Sequence, residues 1–192
     1  MAADDANEPA FSLTADTPAE TTALAAALAG ALAPGDLLGL AGELGAGKTH
    51  FVRGLAQGLG LDPRQVSSPT FILLHEYTPP TTTKPPPTTK PATPLAHLDL
   101  YRLGGVEELE TLGWGEAGGE LRRHAIVAVE WADRFPDAMG DDWLEIELAH
   151  GPGDGRTITV TPHGAWTRRM AQVAAAIGRV RGAGIGDPET RR

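Results

Sequence analysis

An α/β fold is what this sequence predicts: a central, mostly parallel sheet flanked by helices, with late antiparallel strands. Three observations predict it. First, Asp36-Leu37-Leu38-Gly39-Leu40-Ala41 is a short apolar run that enters a glycine-rich segment and then a helical pattern, a strand-loop-helix unit. Second, Ala125-Ile126-Val127-Ala128-Val129 is wholly apolar, as a strand covered on both faces must be. Third, Trp143 to Leu148 and Thr157 to Thr161 read as two late strands joined by the turn Gly151 to Gly155. The glycine-rich segment of the first unit is Gly42-Glu43-Leu44-Gly45-Ala46-Gly47-Lys48-Thr49, which matches G-x-x-x-x-G-K-[ST] at every fixed position. The fold expected is therefore of the P-loop NTPase kind.

The elements follow in order. Residues 1–9 are acidic and polar and predict a disordered tail; Phe11-Ser12-Leu13 predicts a short strand. Thr17-Pro18-Ala19-Glu20 is a capping box, with threonine as the cap, proline at the first helical position and glutamate reaching back. An alanine- and leucine-rich helix should run from there to about Leu32. The turn Pro34-Gly35 precedes the strand of the phosphate loop. After the loop, Phe51, Val52, Leu55 and Leu59 share one helical face, and Gly58 and Gly60 offer a stop. Thr70 to Leu74 and Leu95 to Tyr101 predict strands. Between them, Thr78 to Pro94 holds 7 prolines and 7 threonines in 17 residues. Such a tract cannot build ladders or bury surface, so it predicts a solvated, extended loop: an inert insertion at a hairpin tip, or a ligand for a proline-binding module. Arg168 to Val180 predicts a closing helix, and Gly182 to Arg192 a frayed tail. One domain over 10–164, followed by a helix and flexible tail over 165–192, is the organisation expected.

Composition narrows the function. A formal charge of −9 argues against a broad nucleic-acid-binding surface, although a local basic patch is compatible with it. Without cysteine there is no disulfide, thiolate zinc site or cysteine nucleophile. The first residues lack the basic-then-apolar order of a secretory signal, and no apolar run approaches the length of a membrane span. The expectation is a soluble cytoplasmic protein.

The chemistry centres on Lys48. The chain uses 13 arginines and 3 lysines, and the other two lysines lie in the proline-threonine tract. A compact ammonium on a flexible stem reaches between phosphates where a guanidinium fork does not fit. Phosphate chemistry also needs carboxylates to hold magnesium and to orient water. Asp99 lies in His97-Leu98-Asp99-Leu100-Tyr101-Arg102, where the strand period puts His97, Asp99 and Tyr101 on one face. Glu130 ends the apolar strand, at the carboxyl end where open α/β sheets place ligand groups. Ser67-Ser68-Pro69-Thr70-Phe71 offers hydroxyls at a strand entrance, as a switch loop does, or is an ordinary serine-proline turn.

The succession Gly42 to Thr49, Ser68-Pro69-Thr70-Phe71, His97 to Leu103, Glu108-Leu109 with Leu112-Gly113, and Val129-Glu130-Trp131 closely resembles the TsaE (YjeE) family, from about Phe11 to Gly164. That resemblance implies a P-loop ATPase that binds ATP with Mg2+ and associates with the TsaB–TsaD pair. TsaD transfers the threonylcarbamoyl group to adenosine 37 of tRNAs reading ANN codons, and the ATPase supports turnover without performing the transfer. It further implies that Gly45, Ala46, Gly47, Lys48, Thr49 and His50 cradle the nucleotide. Thr49, Asp99 and Glu130 would hold the metal, and Glu130 would polarise the attacking water, with Lys48 and Thr70 assisting. Trp131, Asp133 and Arg156 would approach the nucleotide, and Arg102 and Arg134 are candidate arginine fingers in cis. His50 stands where the family often has a second threonine, the proline-threonine tract is longer than the expected link, and residues beyond Gly164 have no counterpart. There Arg168, Arg169, Arg179 and Arg181 are either a solvated helix face or contacts for tRNA or an acidic partner. Two other classes use the same loop. A P-loop kinase would add a lid, for which no segment stands out; a guanine-specific switch would add Asn/Thr-Lys-x-Asp, which is absent.

Overall fold

The computed structural model describes residues 8–69, 73–79, 93–111 and 113–182. The strands are β1 (Phe11–Ala15), β2 (Leu37–Ala41), β3 (Leu74–Tyr77), β4 (Leu95–Asp99), β5 (Ile126–Glu130), β6 (Leu144–His150) and β7 (Arg156–Pro162). They form one sheet in the order β1-β7-β6-β2-β5-β4-β3. The four central strands, β6, β2, β5 and β4, run parallel. The borders are antiparallel, β7 against both β6 and β1, and β3 against β4. β2 and β5 are buried along their whole length, which explains the apolar run of β2 and the one that leads to Glu130 in β5.

The helices are α1 (Pro18–Leu28), α2 (Lys48–Gly58), α3 (Glu107–Thr111), α4 (Gly119–Arg122) and α5 (Met170–Gly182). Thr17 caps α1 as the capping box requires: its Oγ1 accepts from the Glu20 amide at 3.2 Å, and Glu20 Oε2 accepts from the Asp16 amide at 2.8 Å. α1, α2 and α5 share an apolar core with Leu38, Leu40, Ile126 and Ile146 on one face of the sheet. Gly54 and Gly58 let α2 touch α1 backbone to backbone, for a Cβ at these positions would stand 2.4 Å from the Thr22 carbonyl and 2.2 Å from that of Ala26. The opposite face is closed by α3, α4 and short 3-10 turns, with Trp114, Met139 and Trp143 in a second core. Trp143 lies directly over Gly39, where a Cβ would come within 2.4 Å of its ring.

Several expectations need correction. The strand expected at Thr70–Leu74 is displaced: the paired residues are Leu74–Tyr77, and residues 70–72 lie outside the described ones. Leu73, at φ 68°, turns the backbone just before the pairing begins. β4 ends at Asp99, and Tyr101 lies beyond it. The first helix stops at Leu28 and tightens into a 3-10 turn over Ala29–Ala31. The last helix starts at Met170 after a 3-10 turn, and it joins the main core through Val173, Ala176 and Ile177. Arg169, expected on a solvated face or at a partner, instead grips Asp36 with two hydrogen bonds, one of 2.8 Å, and stacks 4.0 Å over Trp166. Residues 80–92 of the proline-threonine tract and the tail from 183 lie outside the described residues; the tract joins the paired ends Tyr77 and Leu95. Among the described residues no helix is long and apolar enough to cross a membrane.

Candidate functional site

The loop between β2 and α2 depends on glycine at three points. Gly42, Gly45 and Gly47 hold φ values of 130°, 81° and 105°. At Gly42 a side chain is excluded sterically as well, since a Cβ would lie 2.2 Å from the Leu148 carbonyl oxygen. The loop delivers Lys48 as the first residue of α2, so the ammonium and the positive end of the helix dipole share one place. Lys48 Nζ donates to the carbonyls of Gly42 at 2.6 Å and Glu43 at 2.9 Å, and sits 3.5 Å from the centroid of the Trp131 ring. It is 4% exposed. Burial pulls its pKa below the ordinary lysine value, while Glu130, Asp133 and Asp99 pull the other way.

The two carboxylates come from adjacent parallel strands, where Asp99 and Glu130 are register partners at the carboxyl ends of β4 and β5. Both are buried. Asp99 accepts from Ser68 Oγ at 2.6 Å and from the Tyr101 amide at 2.9 Å. Glu130 Oε1 accepts from Thr49 Oγ1 at 2.7 Å and lies 2.8 Å from His97 Nε2. Trp131 follows at φ 64°, a left-handed conformation that costs a non-glycine residue roughly 1–2 kcal/mol. The turn swings its ring over Lys48 and against Tyr101, 4.9 Å between centroids. Thr49, Asp99 and Glu130 are thus hard oxygen donors around one opening, the kind a small divalent cation takes.

These groups line a cleft of about 390 Å³, with Leu44, Gly45, Gly47, His50, Ser68, Tyr101 and Trp131 completing the wall. A smaller hollow of about 120 Å³ shares Gly45, Gly47 and His50 and adds Pro18, Thr21, Asp154 and Arg156. Ala46 is buried in the core beneath the loop. Arg156 braces the loop: its guanidinium donates to the carbonyls of Ala46 at 2.7 Å, Gly45 at 3.2 Å and Gly155 at 2.7 Å. Asp133 is exposed, and only its field reaches Lys48. Thr70 lies outside the described residues. Of the two candidate fingers, Arg134 is engaged with the carbonyls of Leu100, Tyr101 and Leu103, and Arg102 is exposed. The sequence reading offered Ser68 only as part of a switch loop or an ordinary turn, and it did not assign His97, Tyr101 or Leu44 to the site. For His97 the signal was its shared strand face with Asp99.

Strand order, loop and helix define a P-loop α/β protein. A family model described as "Threonylcarbamoyl adenosine biosynthesis protein TsaE" matches residues 15–158. The chain belongs to the TsaE family. Among its curated relatives, the tRNA threonylcarbamoyladenosine biosynthesis protein TsaE of Bacillus subtilis is 37% identical over 147 residues, covering 77% of this chain and 82% of that one. The Streptomyces coelicolor protein of the same name is 36% identical over 150 residues, covering 75% and 92%. The crystal structure of Bacillus subtilis YdiB superposes with a TM-score of 0.61 at 30% identity, covering 88% of this chain and 95% of that chain. The family match ends within β7, before α5.

Proposed function

We propose that this protein is a Mg2+-dependent ATPase that supports a TsaB–TsaD pair in forming threonylcarbamoyladenosine at position 37 of tRNA, without itself transferring the group. The observation that carries the reading is the convergence of Lys48, Thr49, Asp99 and Glu130 on one cleft at the start of α2. The pathway rests on the relatives, which are named as tRNA threonylcarbamoyladenosine biosynthesis proteins. The partners rest on the family resemblance, and a cytoplasmic location on the composition and on the want of a secretory pattern. With a net charge of −9, tRNA contact is indirect or local.

In this reading the amides of the Gly45–Thr49 segment and the start of α2 receive the phosphates. Lys48 exchanges the Gly42 and Glu43 carbonyls for phosphate oxygens. Thr49, Asp99 and Glu130 fit Mg2+, because every donor is oxygen. Among the described residues no cluster of three or more His, Asp or Glu side chains could hold a metal ion, so phosphates and water would fill the positions that Thr49, Asp99 and Glu130 leave. When bound, the ion neutralises phosphate charge. Glu130 orients a water for in-line attack on the γ-phosphorus, and the bond to the β–γ bridging oxygen breaks. The nucleoside takes the hollow beside Thr21, Asp154 and Arg156.

The test is ATP turnover by the purified protein, alone and with its TsaB–TsaD pair, with GTP as control. Turnover that prefers ATP and rises with the partners is expected. Lys48→Ala should lose tight ATP binding, and Glu130→Ala should keep binding and lose turnover. Binding without turnover under both conditions would replace the ATPase with a nucleotide-gated assembly factor.

A further inference from the structure

His97 occupies a position where packing alone would take an apolar residue. It lies in the fully buried strand β4 between Ala96 and Leu98, is 0% exposed, and has the Tyr77 ring 6.3 Å away. Its Nε2 is 2.8 Å from Glu130 Oε1, and its Nδ1 is buried with no hydrogen-bond partner among the described residues. In the neutral ring a proton on Nδ1 would be buried without an acceptor and would leave the Nε2 lone pair facing the Glu130 carboxylate. A proton on Nε2 has the Glu130 carboxylate to receive it. The hydrogen bonds therefore select the Nε2–H tautomer, with the ring acting as a donor.

Thr49 Oγ1 donates to the same oxygen, Oε1. Two donors, one on a strand and one on a helix, hold Oε1 in place. Oε2 is left without a hydrogen bond from the described residues, in a side chain that lines the cleft.

We propose that His97 is a positioning residue for Glu130: through Nε2–H it holds Oε1, so that Oε2 stays turned toward the attacking water. The proposal rests on the hydrolytic role given to Glu130 above. His97 touches no reacting atom. Losing an outer partner that orients a functional carboxylate lowers activity by about 10–100-fold.

The experiment compares wild type, His97→Leu and His97→Gln in turnover with the partners and in affinity for a non-hydrolysable ATP analogue, with thermal melting as the folding control. His97→Leu should lower kcat at least about tenfold while analogue affinity stays within about twofold. His97→Gln, which keeps a donor, should recover most of the rate. A folded His97→Leu with wild-type kcat overturns the proposal, and so does a parallel loss of melting temperature, affinity and rate that His97→Gln does not relieve. A second readout needs no turnover. Imidazole 15N shifts of labelled nucleotide-free protein should show His97 as Nε2–H, and a protonated Nδ1 overturns the proposal. A wild type that never hydrolyses ATP sinks the ATPase reading, while the nitrogen shifts still decide the contact.

Discussion

The two faces of the sheet are closed by different means. On one, α1 and α2 meet backbone to backbone through Gly54 and Gly58, and α5 adds Val173, Ala176 and Ile177 to the same core. On the other, the α-helices among the described residues are five and four residues long, and Trp114, Trp143 and Met139 fill the space. The difference bears on the site. Leu95, His97 and Asp99 alternate onto the long-helix face, as do Ile126, Ala128 and Glu130, and α2 supplies Lys48 and Thr49 from above. The site is thus built between a sheet and a helix that cannot slide, while the aromatic face supports the strands from behind.

Trp114→Ala should have the largest effect on stability. It empties a buried indole whose Nε1 donates to the Ala138 carbonyl at 2.9 Å, for a loss of about 3–5 kcal/mol in chemical denaturation. Below its lowered melting point, nucleotide affinity should stay near wild type, because this side chain packs on the face away from the cleft. Gly54→Val should cost about 1–3 kcal/mol, yet weaken nucleotide binding as well, since it forces α2 off α1 and moves Lys48. Equal affinity losses in the two variants would erase the distinction between the faces. Arg169→Ala should cost about 1.5–3 kcal/mol, the range for hydrogen bonds to a charged group, by releasing Asp36 ahead of β2. The smallest effect is at Asp62, whose carboxyl is held down at about 2, first by the Arg64 side chain and then by the Arg64 amide. Because the folded value is depressed, this stabilisation is present above the unfolded value near 3.8 and is lost as pH falls through about 2. Asp62→Asn should therefore lower the melting temperature slightly at neutral pH, by a difference that shrinks as pH falls from about 4 toward 2.

The same contrast governs what the sequence disclosed. The 36–58 unit could be read because strand, glycine turn and helix are all local patterns, and β5 because a strand covered on both faces leaves a continuous apolar run. α3 and α4 are too short to show a period, and they are held by Trp114 and neighbouring chain rather than by their own propensity. The apolar run before Leu74 looked like the strand, but pairing selects Leu74–Tyr77, where His75 and Glu76 are exposed. In the site, Lys48 and Thr49 belong to one contiguous motif. The contact of His97 with Glu130 spans 33 residues, so the strand face shared with Asp99 marked the place without naming the partner, and that of Arg169 with Asp36 spans 133 and leaves no local trace.

The strand pairing β1–β7 sets an order of assembly. Phe11 pairs with Val160 and Ala15 with Arg156, so β1 finds its neighbour only after β2 to β6 have been made and β7 follows them. α1 and α2 can dock on each other as soon as residue 58 is out, while β2 waits for β5 and β6. Nucleation on the α1–α2 pair, followed by closure of the central strands and last by β1 on β7, is the sequence that loop-closure entropy favours. A nascent chain halted before β7 would carry its phosphate loop on a helix pair already formed, with one edge of the sheet still open.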